Sequence, residues 1–272
     1  GHNEPMAALG LTNKRVQQLR RLLNRRTERY ERELFVVEGP VFAAEAVAAG
    51  WTCVAQYLPE GSEALIDGAG APHELAAGVL AKVATTQTPQ PPLVVVEMPE
   101  RDADAVLARA DLVVVLDRVG DPGNLGTILR SAEAAGAGAV VLTPGSVDPY
   151  SPKVVRSSAG ALFHVPVVVA SLDQVAESGL ALAGTSSHRH PGRTVVAHTA
   201  ADLTGRVALV MGNEAAGLPD EWDDETGPID RWLTIPHRGR SESLNVAMAA
   251  TLLVFEAARQ RSEDRLASNS DG

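Results

Sequence analysis

A chain of 272 residues with 45% apolar content, 24 glycines and only 4% aromatic residues has the make-up of a globular protein long enough for two domains, its core built largely of Ala and Val. No stretch reaches the roughly 18 uninterrupted apolar residues of a membrane span, the longest candidate, 246–255, being broken by Thr251, and the single cysteine, Cys53, excludes an internal disulfide and a cysteine-built zinc site. The net charge of −10 excludes nonspecific nucleic-acid binding by the whole surface.

That charge is unevenly placed. Residues 14–32 hold eight basic side chains against Glu28 and Glu31, an excess of six, so the remainder of the chain carries −16. The segment reads as one helix, with Val16, Leu19, Leu22 and Leu23 at helical spacing and the arginines on the other faces. Charge runs are often solvated faces. Here the one-signed excess on an otherwise acidic protein favours RNA contact, with Arg20, Arg21, Arg25 and Arg26 as the expected substrate-binding residues.

A strand follows at 34–38, then Gly39-Pro40 opens an Ala-rich helix that stops near Gly50. Short strands are expected at 52–57 and 93–97, with Cys53 as a buried small hydrophobe in the first. The stretch 99–110 turns from linker to helix and places a domain boundary near residue 100. This gives domains at 1–100 and 101–262 and a polar, frayed tail at 263–272.

From Asp111 the pattern becomes buried strand, Gly-rich turn, helix: a strand at 112–116, then a helix ending near Gly136. Strands at 139–142, 165–169, 180–183, 207–211 and 232–235 and a closing helix at about 243–261 complete an α/β domain with a mostly parallel sheet and helices on both faces. Leu244, Met248, Leu252 and Phe255 give the closing helix an apolar stripe.

Three segments join strand ends to turns, where ligands collect in such sheets. The first, 117–130, holds Gly120, Gly123, Asn124, Gly126 and Arg130. Its glycines let backbone approach a ligand, and Arg130, six residues beyond Asn124, can reach the same site. Their spacing is not the dinucleotide fingerprint, which argues against an oxidoreductase. The second, Met211 to Leu218, sets Glu214 between Gly212 and Gly217. The third runs from Ile235-Pro236 to Ser243-Leu244-Asn245, with Ser241 or Ser243 as the natural cap of the closing helix. His188, His190 and His198 lack carboxylate or cysteine partners at metal-ligand spacing, so no metal is expected and a loop touching RNA is preferred.

Together these segments closely resemble the SpoU (TrmH-type) family of RNA 2′-O-ribose methyltransferases over 111 to about 261. The family's motifs match Asn124-x-Gly126-x-x-x-Arg130, Gly212-Asn213-Glu214-x-x-Gly217, Ile235-Pro236 and Ser243-Leu244-Asn245-Val246, and Arg156 matches a family arginine. The basic helix and Phe35-Val36-Val37-Glu38-Gly39 are similar to the substrate-binding domain that precedes this catalytic domain in thiostrepton-resistance and related large-subunit rRNA methyltransferases.

The resemblance implies a deep trefoil knot, S-adenosylmethionine as cofactor with no metal required, rRNA rather than tRNA as partner, and a homodimer, while the single cysteine fits a reducing, cytoplasmic setting. It further implies catalytic roles for Arg130, Asn124, Glu214, Ser243 and Asn245, cofactor contacts from Met211, Gly212, Ile235, Ser243 and Leu244, and substrate contact from Arg156. A non-catalytic RNA-binding or ribosome-assembly factor with the same fold is the competing expectation.

Overall fold

The structure, a computed structural model, describes residues 8–63, 65–185, 194–223, 226–240 and 243–270. His188, His190 and Ser241 lie outside them. The chain divides into two compact units, Gly1–Glu100 with Asp148–Phe163, and Arg101–Val147 with His164–Gly272.

The first unit opens with α1 (Lys14–Asn24), capped by Asn13, whose side chain accepts from the Arg15 amide at 2.9 Å. Val16, Leu19, Leu22 and Leu23 are buried as their spacing requires. The expected single helix 14–32 is instead two: Arg25 takes extended backbone (φ −129°, ψ 117°), and α2 (Arg26–Arg32) starts anew. The break turns Arg29 inward. It is 5% exposed, bonded to the Leu22 carbonyl and to Asp148, so one of the eight basic residues faces the interior rather than solvent.

β1 (Leu34–Glu38), α3 (Pro40–Ala48), β2 (Cys53–Pro59), β3 (Ala71–Leu75), α4 (Val79–Val83) and β4 (Leu93–Glu97) follow. They form a four-stranded sheet in the order β1-β4-β2-β3, antiparallel except for β2 with β3. α1 covers one face, its four apolar residues clustering with Val36, Tyr57, Leu93 and Val95. β3, with Pro72 and a mostly open burial pattern, carries none of the signals that identify a buried strand and has no counterpart among the expected ones. Cys53 begins β2 and is half-buried rather than enclosed.

The second unit is one seven-stranded sheet, every pairing parallel. In chain order its elements and the interposed helix are α5 (Ala103–Arg109), β5 (Leu112–Leu116), α6 (Pro122–Ala134), β6 (Ala139–Leu142), α7 (Pro152–Ser157), β7 (Val167–Val169), α8 (Leu172–Glu177), β8 (Ala181–Thr185), β9 (Val195–Ala197), β10 (Val207–Met211), β11 (Arg231–Thr234) and α9 (Val246–Ser270).

α7 and the rest of 148–163 group with the first unit, where Tyr150 and Phe163 pack on Phe35 and Trp51 at ring distances of 5.0 and 5.2 Å. The sheet order is β7-β6-β5-β10-β8-β11-β9. β5 and β10 are buried along their whole length, as central strands covered on both faces must be. Val113 and Val115 point to the α5 and α8 side with Leu107, Val175, Ala208 and Val210.

Two expectations about α9 need correction. It begins at Val246, and its cap is Asn245, whose Oδ1 accepts from the amides of Ala247 (2.9 Å) and Met248 (3.3 Å); Ser243 and Leu244 precede it. It also continues to Ser270, so the polar residues after 261 extend the helix instead of fraying, with Arg259 bonded to Glu256 and Glu263 one turn away on either side. Ala247, Ala250, Leu253, Val254 and Ala257 form its buried side. Met248, Leu252 and Phe255 are 62, 45 and 47% exposed, so that part of the expected stripe is not used within the unit.

Candidate active site

Three loops leave the C-terminal ends of β5, β10 and β11. After β5, Asp121 caps α6 by accepting from the Asn124 amide at 2.8 Å, which fixes Asn124 in the first helical turn. After β10 the chain makes a tight turn from Gly212 to Gly217. Asn213 and Gly217 exchange both backbone hydrogen bonds (3.2 and 2.9 Å), and the Asn213 side chain accepts from Ala215 and Ala216. Gly212 is required because a Cβ there would run into the backbone of Gly217 and Leu218. The third loop ends at the Asn245 cap.

Glu214 ties the first two loops together. Its carboxylate accepts from the amides of Gly120 (3.2 Å) and Asp121 (3.0 Å) and from the side chain of Asn124 (3.2 Å). Partial burial works against its ionisation. The amide donors of Asp121, Glu214 itself and Gly120, with the Asn124 side chain, outweigh that effect and hold the carboxyl below the usual glutamate range. Asn124 in turn accepts from Asn245 at 3.0 Å, so a continuous chain of side chains, Asn245 to Asn124 to Glu214, crosses all three loops.

The loops enclose a cleft of about 480 Å³, within the range of small-molecule sites. It is lined by Asn124, Glu214, Ser243 and Asn245 and by Met211, Gly212, Ile235 and Leu244. The structure thus gathers four of the five expected catalytic residues and every expected cofactor contact. Arg130 is not in the lining: it stands exposed on α6, with no bonded partner among the described residues. The side-chain amide of Asn124 engages Glu214 and Asn245 rather than Arg130. Among the described residues no group of three metal-ligating side chains occurs, and no helix is long and apolar enough to cross a membrane.

The remaining expected residues belong to the first unit. Arg20, Arg25 and Arg26 are exposed, Arg21 is half-buried and bonded to Glu28 at 3.3 Å, and Arg156 donates to the Thr85 hydroxyl at 3.2 Å. Arg26 also lies over the Tyr30 ring, 5.2 Å from its centre.

Sequence reasoning missed Thr185, Asp220, Trp232 and His237, which also line the cleft. Thr185 ends β8 and donates to the Val210 carbonyl at 3.1 Å. Its signal is its place, closing a strand beside β10 at the sheet end that collects ligands, but the apolar run that marks the strand stops at residue 183, short of it. Asn213 was missed as a support; it donates to the Arg118 carbonyl at 2.8 Å.

The SpoU rRNA Methylase family model matches residues 111–255, and an MRM3-like substrate binding domain model matches 13–93. The 23S rRNA (uridine(2479)-2'-O)-methyltransferase of Streptomyces viridochromogenes is 36% identical over 94% of this chain and 93% of its own length. The 23S rRNA (guanosine(2553)-2'-O)-methyltransferase RlmP of Bacillus subtilis is 33% identical over 89% of this chain and 95% of its own length. Among solved structures, the SpoU methyltransferase AviRb of S. viridochromogenes in complex with the cofactor AdoMet superposes with a TM-score of 0.81 at 33% identity, covering 92% of this chain and 98% of that one. The AdoMet-bound rRNA methyltransferase of Sinorhizobium meliloti gives 0.80 at 30% identity, covering 93% and 98%.

Proposed function

The chain belongs to the SpoU rRNA methylase family, and from that premise we propose that it transfers a methyl group from S-adenosylmethionine to a ribose 2′-hydroxyl of large-subunit rRNA. The observation that carries this reading is the cleft itself, walled by three loops that the Asn245–Asn124–Glu214 chain cross-bonds.

The cleft fits the cofactor. Its volume suits a nucleoside-sized ligand, Gly212 brings bare backbone to its wall where a side chain has no room, and Met211, Ile235 and Leu244 offer apolar surface to a base while Ser243 and Asn245 offer polar groups. When bound, the cofactor supplies an electrophilic methyl on a sulfonium, so the protein's task is to place and activate the hydroxyl. Glu214 keeps the first loop closed on the cleft, and Asn124 and Asn245 hold the start of α6 and of α9 against it. Arg130 carries its exposed guanidinium to the RNA, where it aligns ribose and phosphate; an arginine is too strong a base in its neutral form to be populated as a proton acceptor, so the 2′-hydroxyl proton passes to phosphate oxygen.

Arg20, Arg21, Arg25, Arg26 and Arg156 serve as RNA contacts of the first unit, consistent with its match to a substrate-binding model. rRNA is favoured over tRNA because relatives similar along nearly the whole chain are named for 23S rRNA. The exposed Met248, Leu252 and Phe255 of α9 support a homodimer, and the late insertion of β10 between β5 and β8 and of β11 between β8 and β9 supports the trefoil knot. The cytoplasm, where rRNA and reduced Cys53 coexist, is the proposed location.

Incubation with methyl-labelled S-adenosylmethionine and separate rRNA and tRNA pools tests the proposal. Label is expected in 23S rRNA. RNA that binds but never acquires label would favour the non-catalytic assembly factor.

A further inference from the structure

Arg118 follows directly on β5 and adopts φ +50°, the left-handed region that a side-chain-bearing residue enters at a cost and glycine enters freely. Three bonds impose that conformation. The Arg118 amide donates to the Thr143 hydroxyl at 3.0 Å, its carbonyl accepts from the cleft-lining Asn213 at 2.8 Å, and its Nε donates to Asp117 at 3.0 Å. Asp117 is itself only 4% exposed, and its other oxygen accepts a hydrogen bond from the Thr143 hydroxyl at 2.9 Å. The stem of the side chain passes over Gly145, whose φ is +92° and where a Cβ would meet the Arg118 Cγ at 3.8 Å.

The result is a guanidinium aimed by a buried carboxylate at one edge and open at the other. Neither Nη1 nor Nη2 bonds to any described residue, and the side chain is 50% exposed. Strain that the surroundings impose on one residue beside a cleft is a sign of function. An arginine fixed through Nε and open through both Nη atoms presents the fork that matches two oxygens of a phosphate. Its place also fits: the Arg118 carbonyl is bonded to Asn213, a residue of the cleft wall, and its stem runs over Gly145 in the loop after β6.

We propose that Arg118 is a substrate-binding residue that grips an RNA phosphate flanking the target ribose, with Asp117, Thr143 and Asn213 as its positioning residues. This rests on the RNA-methyltransferase reading, and adds a second phosphate contact to that of Arg130. Asp117 leaves the Nη edge free for the ligand, and the paired carboxylate keeps the guanidinium from turning back into solvent.

The test uses the full-length protein and a 23S rRNA transcript, with binding measured over a range of salt concentrations and S-adenosylmethionine affinity measured alongside. Arg118→Gly suits the local backbone and removes the fork; Asp117→Asn/Arg118→Gly covers the case in which a bare buried Asp117 unfolds the loop. Without this charge-assisted grip on phosphate, RNA binding is expected to weaken about tenfold or more, and the slope of log affinity against log salt to flatten by roughly 0.7–0.9. Cofactor affinity should be unchanged, and Arg118→Lys should recover part of the slope.

Wild-type RNA affinity and salt slope in a folded Arg118→Gly protein would overturn the proposal. So would reduced cofactor affinity with an unchanged slope, which would make Arg118 a structural support of the loop. Because this test reads binding and the labelling assay above reads methyl transfer, a wild-type protein that binds RNA without methylating it would refute the proposed reaction and leave the Arg118 result to be judged on its own.

Discussion

Asn124 donates to one loop and accepts from another, so a single amide on α6 holds the cleft together. Its removal should loosen the site without taking away Arg130, the proposed RNA contact. The mechanism proposed above gives Arg130 the opposite role. Arg130→Ala should abolish methyl transfer while leaving S-adenosylmethionine affinity nearly intact, and Asn124→Ala should cost less; an Arg130→Ala protein with at least half of wild-type turnover at saturating RNA would refute the assignment.

Glu214 adds a pH signature. Its carboxyl titrates below the usual 4.5 in the folded protein, so its contribution to stability is complete above that value and is lost as pH falls through the folded-state value. The stability difference between wild type and Glu214→Gln should therefore shrink on acidification, measurable by thermal unfolding between about pH 3 and pH 6. A constant difference would contradict it.

Asn124, Glu214 and Asn245 could be named from the sequence because each falls in a segment that resembles a family motif; by residue type alone each could equally have been a helix cap. That Asn124 turns to Glu214 and Asn245 instead of Arg130 depends on loops brought together from 90 and 121 residues away. No local pattern encodes those meetings.

At the scale of elements, strands such as β5 and β10 are legible because burial on both faces leaves an unbroken apolar run, whereas β3 is mostly open and β9 is only three half-buried residues, and neither leaves such a trace. The basic segment reads as one helix because it contains neither Gly nor Pro, and Asn24 is only a weak stop signal. The break at Arg25 serves a tertiary partner, Asp148, 119 residues from Arg29. Its arginines therefore divide into two kinds.

Replacing Arg20, Arg21, Arg25 and Arg26 with alanine should weaken RNA binding and flatten its salt dependence by roughly 0.7–0.9 for every phosphate that these side chains neutralise, with cofactor affinity unchanged; an unaltered slope would show this face to be merely solvated. Asp148→Ala should act on stability instead. It strands the buried Arg29, whose Nη2 lies 2.6 Å from the Asp148 carboxylate, and removes the acceptor for Tyr30 and the Tyr150 amide. Breaking such a pair costs about 3–5 kcal/mol, to be read from denaturant unfolding, and a loss below about 1 kcal/mol would mean the pair is dispensable.

At the scale of the molecule, the parallel sheet could be expected from alternating strands and helices, but not its order, because β10 and β11 enter between strands laid down earlier. The apolar residues of α9 divide between a buried side and an exposed one. Light scattering at micromolar concentration should report a dimer of the 28.5 kDa chain, and a monomer would leave that exposed side unexplained.

The central claim is chemical, that the methyl group goes to a ribose oxygen. Digestion of the labelled 23S rRNA product to nucleosides, followed by mass spectrometry, reads this directly. The account predicts label in one 2′-O-methylnucleoside, carried on the sugar fragment and absent when Arg130→Ala is used; label on a base, or on no nucleoside at all, would contradict it.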